Sequence, residues 1–137
     1  MFDLTQDQET LQSHTIGDIT DPDALQACFR HTRPQLVLHL AAQPLVLQSY
    51  RDPVGTFLTN TQGTINILEA ARLTHDVQGV VCVTTDKVYA NGGERGPFVE
   101  TDPLGGKDPY SASKAAAEIA ITSYRQLLAA DGRDMSI

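Results

Sequence analysis

The chain has 137 residues, a formal net charge of −7 and a hydrophobic content of 41%, which suits one domain able to bury its own core. The acidic balance is spread along the chain and argues against nucleic acid or an anionic membrane as the main partner, and no apolar run has the length of a membrane span. Two distant cysteines, Cys28 and Cys82, and four scattered histidines, His14, His31, His39 and His75, form neither a disulfide framework nor a metal-ligand set and suit a reducing, cytoplasmic compartment.

After a polar opening from Leu4 to Gln12, "HTIGD" (residues 14–18) reads as a short strand. A helix follows it: Asp21 is placed to cap, Pro22 suits the first position, and Ala24, Leu25, Cys28 and Phe29 make an apolar stripe that Pro34 terminates. "QLVLHLAA" is a continuous apolar run of strand length, the pattern of a strand buried on both faces. From Asp52 to Leu73, Val54, Phe57, Leu58, Ile65, Leu68 and Ala71 recur at helical spacing, and "GVVCVTT" is a second fully apolar strand. A Gly- and Pro-rich loop runs from about Asn91 to Asp108, and a long helix from Pro109 to about Ala130 closes the chain. This alternation predicts an α/β domain over residues 1–137, with the parallel sheet of a Rossmann-like, doubly wound fold.

Ligands of such sheets bind outside the carboxyl ends of the strands. Here those ends carry Gly17-Asp18, Ala41-Ala42-Gln43 and Thr84-Thr85-Asp86-Lys87, which makes one crevice the expected site. Tyr110 and Lys114 stand four apart on the last helix and share a face. A lysine cation near a phenol favours the phenolate, a usable base, although the same spacing fits a packed tyrosine and a solvated lysine. In "TTDK", Thr85 offers a hydroxyl to a substrate, Asp86 an acid and Lys87 a base, against the plainer reading of a solvated pair opening a loop. Asp18 is an adenine acceptor or a turn aspartate. Asn60, a poor helix former inside a helical pattern, faces a ligand or solvent, and His39 in an apolar strand reads as a satisfied core histidine.

Together "GDITD", "HLAAQPLV", "SYRDP", "TNTQGT", "LEAAR", "TTDKVY" and "DPLGGKDPYSASKAAAE" resemble the extended short-chain dehydrogenase/reductase family, most closely its CDP-glucose 4,6-dehydratase branch. The resemblance covers nearly the whole chain in order. It implies that a tightly held NAD takes a hydride from C4 of a nucleotide-linked hexose, CDP-glucose foremost, and returns it to C6 after water is lost. By the same resemblance Tyr110 accepts the 4-hydroxyl proton, Lys114 assists it and holds the nicotinamide ribose, and Thr85 shares the hydrogen bond. Lys87 removes the C5 proton and Asp86 protonates the leaving C6 hydroxyl. Asp18 and Ile19 contact adenine, Leu40, Ala41 and Ala42 line the phosphate-ribose side, and Asn60 lies near the cofactor. Lysine rather than glutamate after the aspartate is what resembles the CDP-sugar branch.

The sequence departs from the family at Leu47-Gln48, where arginine is usual, and in "NGGERGPFVE", which lacks the usual tryptophans. No GxxGxxG occurs anywhere, so the phosphate-cradling turn is missing. The resemblance implies an internal fragment of a longer enzyme, without the first two strands and the substrate domain, inactive as an isolated polypeptide and homodimeric in its full-length form. The first predicted strand would then lack its neighbours. An NAD-dependent nucleotide-sugar epimerase and a non-catalytic dimerising remnant are the alternative readings.

Overall fold

A computed structural model describes residues 11–93 and 96–137; the polar opening from Leu4 to Thr10 lies outside them. In chain order the elements are α1 (Pro22–Thr32), β1 (Leu36–His39), α2 (Val46–Arg51), α3 (Pro53–Phe57), a π-turn (Leu58–Gln62), α4 (Gly63–Leu73), β2 (Gly79–Cys82), a 3-10 turn (Asp86–Val88) and α5 (Pro109–Ala130). The caps explain several of these boundaries. Asp21 accepts from the amides of Asp23 and Ala24, and Arg33 ends α1 in a left-handed conformation (φ 46). Asp52 caps α3 through the Gly55 amide, and Asp108 caps α5 through the Ser111 amide, with proline following both.

β1 and β2 pair in parallel, Leu36 opposite Gly79 through His39 opposite Cys82, as the intervening helices require. Ser136 extends the sheet by a parallel bridge to Gly79, accepting from the Val80 amide at 2.9 Å and donating to Gln78 at 3.0 Å. The core lies on one side: Phe29, Ile67, Leu68, Val77, Val80, Ile121, Leu128 and Met135 are buried, with Leu25, Val37 and Cys82 packed against them. α1 lies on α4, and α5 on α3, the π-turn and α4. Both cysteines are free. Among the described residues no helix is long and apolar enough to cross a membrane.

Three sequence expectations need correction. Residues 14–18 form no strand: no described strand pairs with this segment, and Ile16 is 90% exposed. β1 and β2 form as expected but are buried on one face only. Val37, His39, Val80 and Cys82 face the helices, whereas Leu36, Leu38, Leu40, Val81 and Val83 are exposed, because no described element packs on that side. The single helix expected over residues 52–73 is broken by the π-turn, which inserts a residue into the turn and rotates α4 relative to α3. Leu68 and Ala71 are buried, while Val54 and Leu58 point outward, so the apolar stripe does not continue across it.

Candidate active site

β2 runs out at its carboxyl end into Thr84 and Thr85, and the 3-10 turn begins at once. Thr85 sets that turn: its hydroxyl accepts from the Lys87 amide at 3.4 Å and donates to Asp86 Oδ1 at 3.2 Å. Asp86 and Lys87 are thereby exposed at one end of a cleft of about 250 Å³, which also takes in Tyr89, Phe98, Lys107, Asp108 and Ser111. Tyr89 and Phe98 stack at 5.0 Å, the Gly- and Pro-rich loop closing over the turn through the Tyr89–Leu104 bridge.

The opposite wall is the first turn of α5. Tyr110 is buried, and the Lys87 ammonium stands 5.9 Å from the centre of its ring, a cation–π approach. Lys114 is buried one turn on, and its ammonium donates to the Val83 carbonyl at 3.0 Å. Burial pulls the Lys114 pKa below the ordinary lysine value against the opposing pull of Cys82 and Glu118. Glu118, one further turn along, accepts from the Thr84 hydroxyl. So Tyr110 and Lys114 share a face as expected, but the hydrogen bond of Lys114 anchors α5 to the end of β2, and Lys87 is the cation that stands over the phenol ring. Burial alone would raise the Asp108 carboxyl; the Ser111 hydroxyl and amide, the Tyr110 amide and the Lys87 charge together hold it below the usual range.

Asn60 departs from its sequence reading. It is 1% exposed, its Oδ1 accepts from the Gln43 amide at 2.7 Å, and its Nδ2 donates to the Gln43 carbonyl at 3.1 Å and to Ser113 Oγ at 3.0 Å. The polar residue inside a helical pattern is spent on protein groups and faces neither ligand nor solvent. His39 matches its expected core role: Nε2 meets the Thr64 hydroxyl at 2.9 Å, and that hydroxyl donates to the Asn60 carbonyl. The ring nitrogen therefore supplies the proton. Burial, then the Lys114 charge, lowers the His39 pKa.

Asp18 and Ile19 lie elsewhere, with Thr15, Ile16, Gly17, Ala24, Leu25 and Cys28 around a groove of about 200 Å³ beside α1. Asp18 Oδ1 accepts from the Thr20 amide and hydroxyl, which lower its pKa. Ile19 is fixed through its carbonyl, which accepts from Asn66, and through its side chain, which occupies the space a Cβ on Gly63 would need. Leu40 and Ala41 are exposed and Ala42 half-buried at the end of β1. Of the three predicted strand ends, Gly17-Asp18 and Asp86-Lys87 line two separate clefts and Ala41-Ala42-Gln43 lines neither. Sequence reasoning missed Ser113, Glu118 and Gly106. Only Gly106 left a signal, a second glycine two residues before a cap.

The family described as GDP-mannose 4,6 dehydratase matches residues 3–131. A CDP-glucose 4,6-dehydratase of Salmonella typhimurium is 38% identical over 125 residues, covering 91% of this chain and 34% of that protein. A crystal structure of a dTDP-glucose 4,6-dehydratase from Streptomyces venezuelae with NAD and TYD bound is similar at a TM-score of 0.75 and 33% identity, covering 87% of this chain and 35% of that one. The UDP-glucose 4-epimerase of Thermus thermophilus in complex with NAD gives a TM-score of 0.70 at 38% identity, with 81% and 36% covered. The chain spans about a third of the length of the curated relatives it matches.

Proposed function

The chain belongs to the GDP-mannose 4,6 dehydratase family, and from that membership we propose that it carries the catalytic segment of an NAD-dependent nucleotide-sugar 4,6-dehydratase, with CDP-glucose the first substrate to try. One observation carries the reading: Asp86 and Lys87 line a cleft with Asp108 and Ser111, the residues on either side of Tyr110 in the chain, and the Lys87 ammonium stands 5.9 Å from the centre of the Tyr110 ring. An acid, a base and a phenol gathered at a strand end are the groups that a C4 oxidation and a C5/C6 elimination of water require.

The residues present fit the two ends of a dinucleotide. The Asp18–Ile19 groove suits an adenine, and Tyr110 with Lys114 suits a ribose near the reacting carbon. The sequence has no glycine-rich turn for the diphosphate. NAD, when bound, would supply the oxidation at C4 and return the hydride at C6 once water has left. The chain's own part is to move protons. Tyr110 takes the proton of the 4-hydroxyl, whose oxygen Thr85 also holds. Lys87 removes the C5 proton that the 4-keto group has acidified, and Asp86 gives a proton to the departing C6 hydroxyl. Dimerisation belongs to the same proposal: "TNTQGTINILEA" and "YSASKAAAEIA" resemble the helices that pair in the family, and an apolar groove lined by Pro53, Val54, Phe57 and Leu58 lies on α3 and the π-turn beside them. A cytoplasmic location fits its nucleotide-sugar substrate.

The test is a chimera in which residues 3–131 replace the matched segment of the Salmonella relative. It binds NAD and converts CDP-glucose to a product lighter by one water, and Lys87→Met leaves NAD binding and abolishes that loss. A chimera that binds NAD and leaves CDP-glucose unchanged overturns the reading; a product of unchanged mass and altered C4 configuration replaces it with epimerisation.

A further inference from the structure

We infer that Ser113 is a positioning residue that fixes the Tyr110 turn of α5 against the loop leaving β1, acting through Asn60. Ser113 is fully buried, and its hydroxyl donates to the Tyr110 carbonyl at 2.7 Å. With its one proton so used, it accepts from Asn60 Nδ2 at 3.0 Å. Asn60 in turn clamps both backbone groups of Gln43, the residue directly after Ala41 and Ala42. A continuous path of hydrogen bonds therefore joins the loop leaving β1, at Gln43, to the first turns of α5, residues 110–114.

The π-turn makes the path possible. It presents Asn60 and its neighbour Thr61 to the same residue, Thr61 Oγ1 donating to the Ser113 carbonyl at 2.9 Å. π-turns of this kind concentrate at functional sites. Alanine at 113 would fill nearly the same space, so packing does not require the hydroxyl. Without it, one Asn60 N–H is left buried and unpaired, and the Tyr110 turn loses its link to Gln43.

The inference rests on Tyr110 being the proton acceptor proposed above, and the test separates the two. In the chain itself, Ser113→Ala speeds amide hydrogen exchange at Gln43 roughly 10-fold or more and shifts or broadens the Tyr110 ring carbon resonance, while Ser113→Thr keeps both near native. Gln43 lies far from position 113 in sequence, and a merely local loss of stability at α5 would not single it out. In the chimera, Ser113→Ala lowers kcat by on the order of 10- to 100-fold with KM little changed, and threonine restores it. Should alanine fail to fold, Ser113→Cys, close in shape and weak as a hydrogen-bonding group, gives the same readings. Native exchange at Gln43 in a folded alanine variant, or an undiminished kcat, refutes the inference. A chimera inactive with its native serine refutes the dehydratase reading, and exchange at Gln43 still decides the role of Ser113.

Discussion

Gly106→Ala is the substitution the geometry judges most severely. A Cβ at this position would stand 2.2 Å from the Ala112 nitrogen, 2.2 Å from the Ser111 carbonyl carbon and 2.5 Å from the Ser111 Cβ. Two of the three are backbone atoms of the first turn of α5, which Asp108 holds through the Ser111 amide and hydroxyl, so the loop must retreat. Recovering an ordinary contact of 3.4 Å from 2.2 Å requires a displacement of 1.2 Å. That movement pulls on the Gly105 amide bonded to the Val88 carbonyl at 2.8 Å and the Ala90 amide bonded to Pro103 at 2.8 Å. Overpacking of this kind costs about 1–3 kcal/mol, and a weakened hydrogen bond adds about 1. A total of roughly 2–4 kcal/mol lowers the melting temperature of a domain this size by about 6–12 °C. Thermal unfolding followed by circular dichroism measures it, with Gly92→Ala as the control because nothing lies within 4 Å of its Cβ. Gly105→Ala should fall between, since its new methyl meets the Ala90 Cβ at 3.3 Å and the Ala90 Cα at 3.7 Å. Equal melting temperatures for the 92 and 106 variants would show that the loop is not seated on α5 as described.

The remaining predictions concern pH, a cap and activity. His39 has a folded pKa below its ordinary 6.5, so the unfolded chain binds the proton first; stability is lost as pH falls from about 6.5 toward the folded value and is intact above it. The melting temperature should therefore drop between about pH 7 and pH 5, above the range in which Glu69, Asp76 and Asp108 lose the stability that their lowered pKa values provide, and His39→Gln should flatten that drop; an unchanged slope contradicts the assignment. Asp21→Ala removes an acceptor serving two amides of α1 and should cost about 1 kcal/mol in urea unfolding; no cost would mean the cap is replaced by solvent. The chain alone, lacking a glycine-rich turn, should yield no dehydrated product from CDP-glucose and NAD, and any such product by mass spectrometry refutes the need for that turn.

Much of the fold was legible because its boundaries are set locally. Asp21-Pro22, Pro34, Asp52-Pro53 and Asp108-Pro109 each fix a helix limit through a cap or a missing amide, and the structure has helices or strands beginning near all of them. The apolar runs also marked β1 and β2 correctly. What they could not state is whether the chain covers both faces they prepare: Leu38 is 62% exposed because hydrophobicity records the need for a cover and the described residues do not supply one. Residues 14–18 fail for the related reason that a strand exists only with a neighbour, and no propensity of its own substitutes for a ladder partner.

The site divides along the same line. Thr85, Asp86, Lys87, Tyr110 and Lys114 stood out as candidates because strand ends and helix starts are readable and chemistry-bearing residues at them are conspicuous. Asn60 shows what was not readable. Its poor helix propensity correctly signalled a polar demand inside the helix, but nothing local said that the demand comes from the backbone of Gln43 and the hydroxyl of Ser113 rather than from a ligand. The same π-turn that aims Asn60 and Thr61 at Ser113 also turns Val54 and Leu58 outward. One extra residue in a helical turn thus accounts for the misread apolar stripe and the misread asparagine together. Both result from giving up regular helix register so that two hydrogen-bonding residues can meet α5 beside Tyr110.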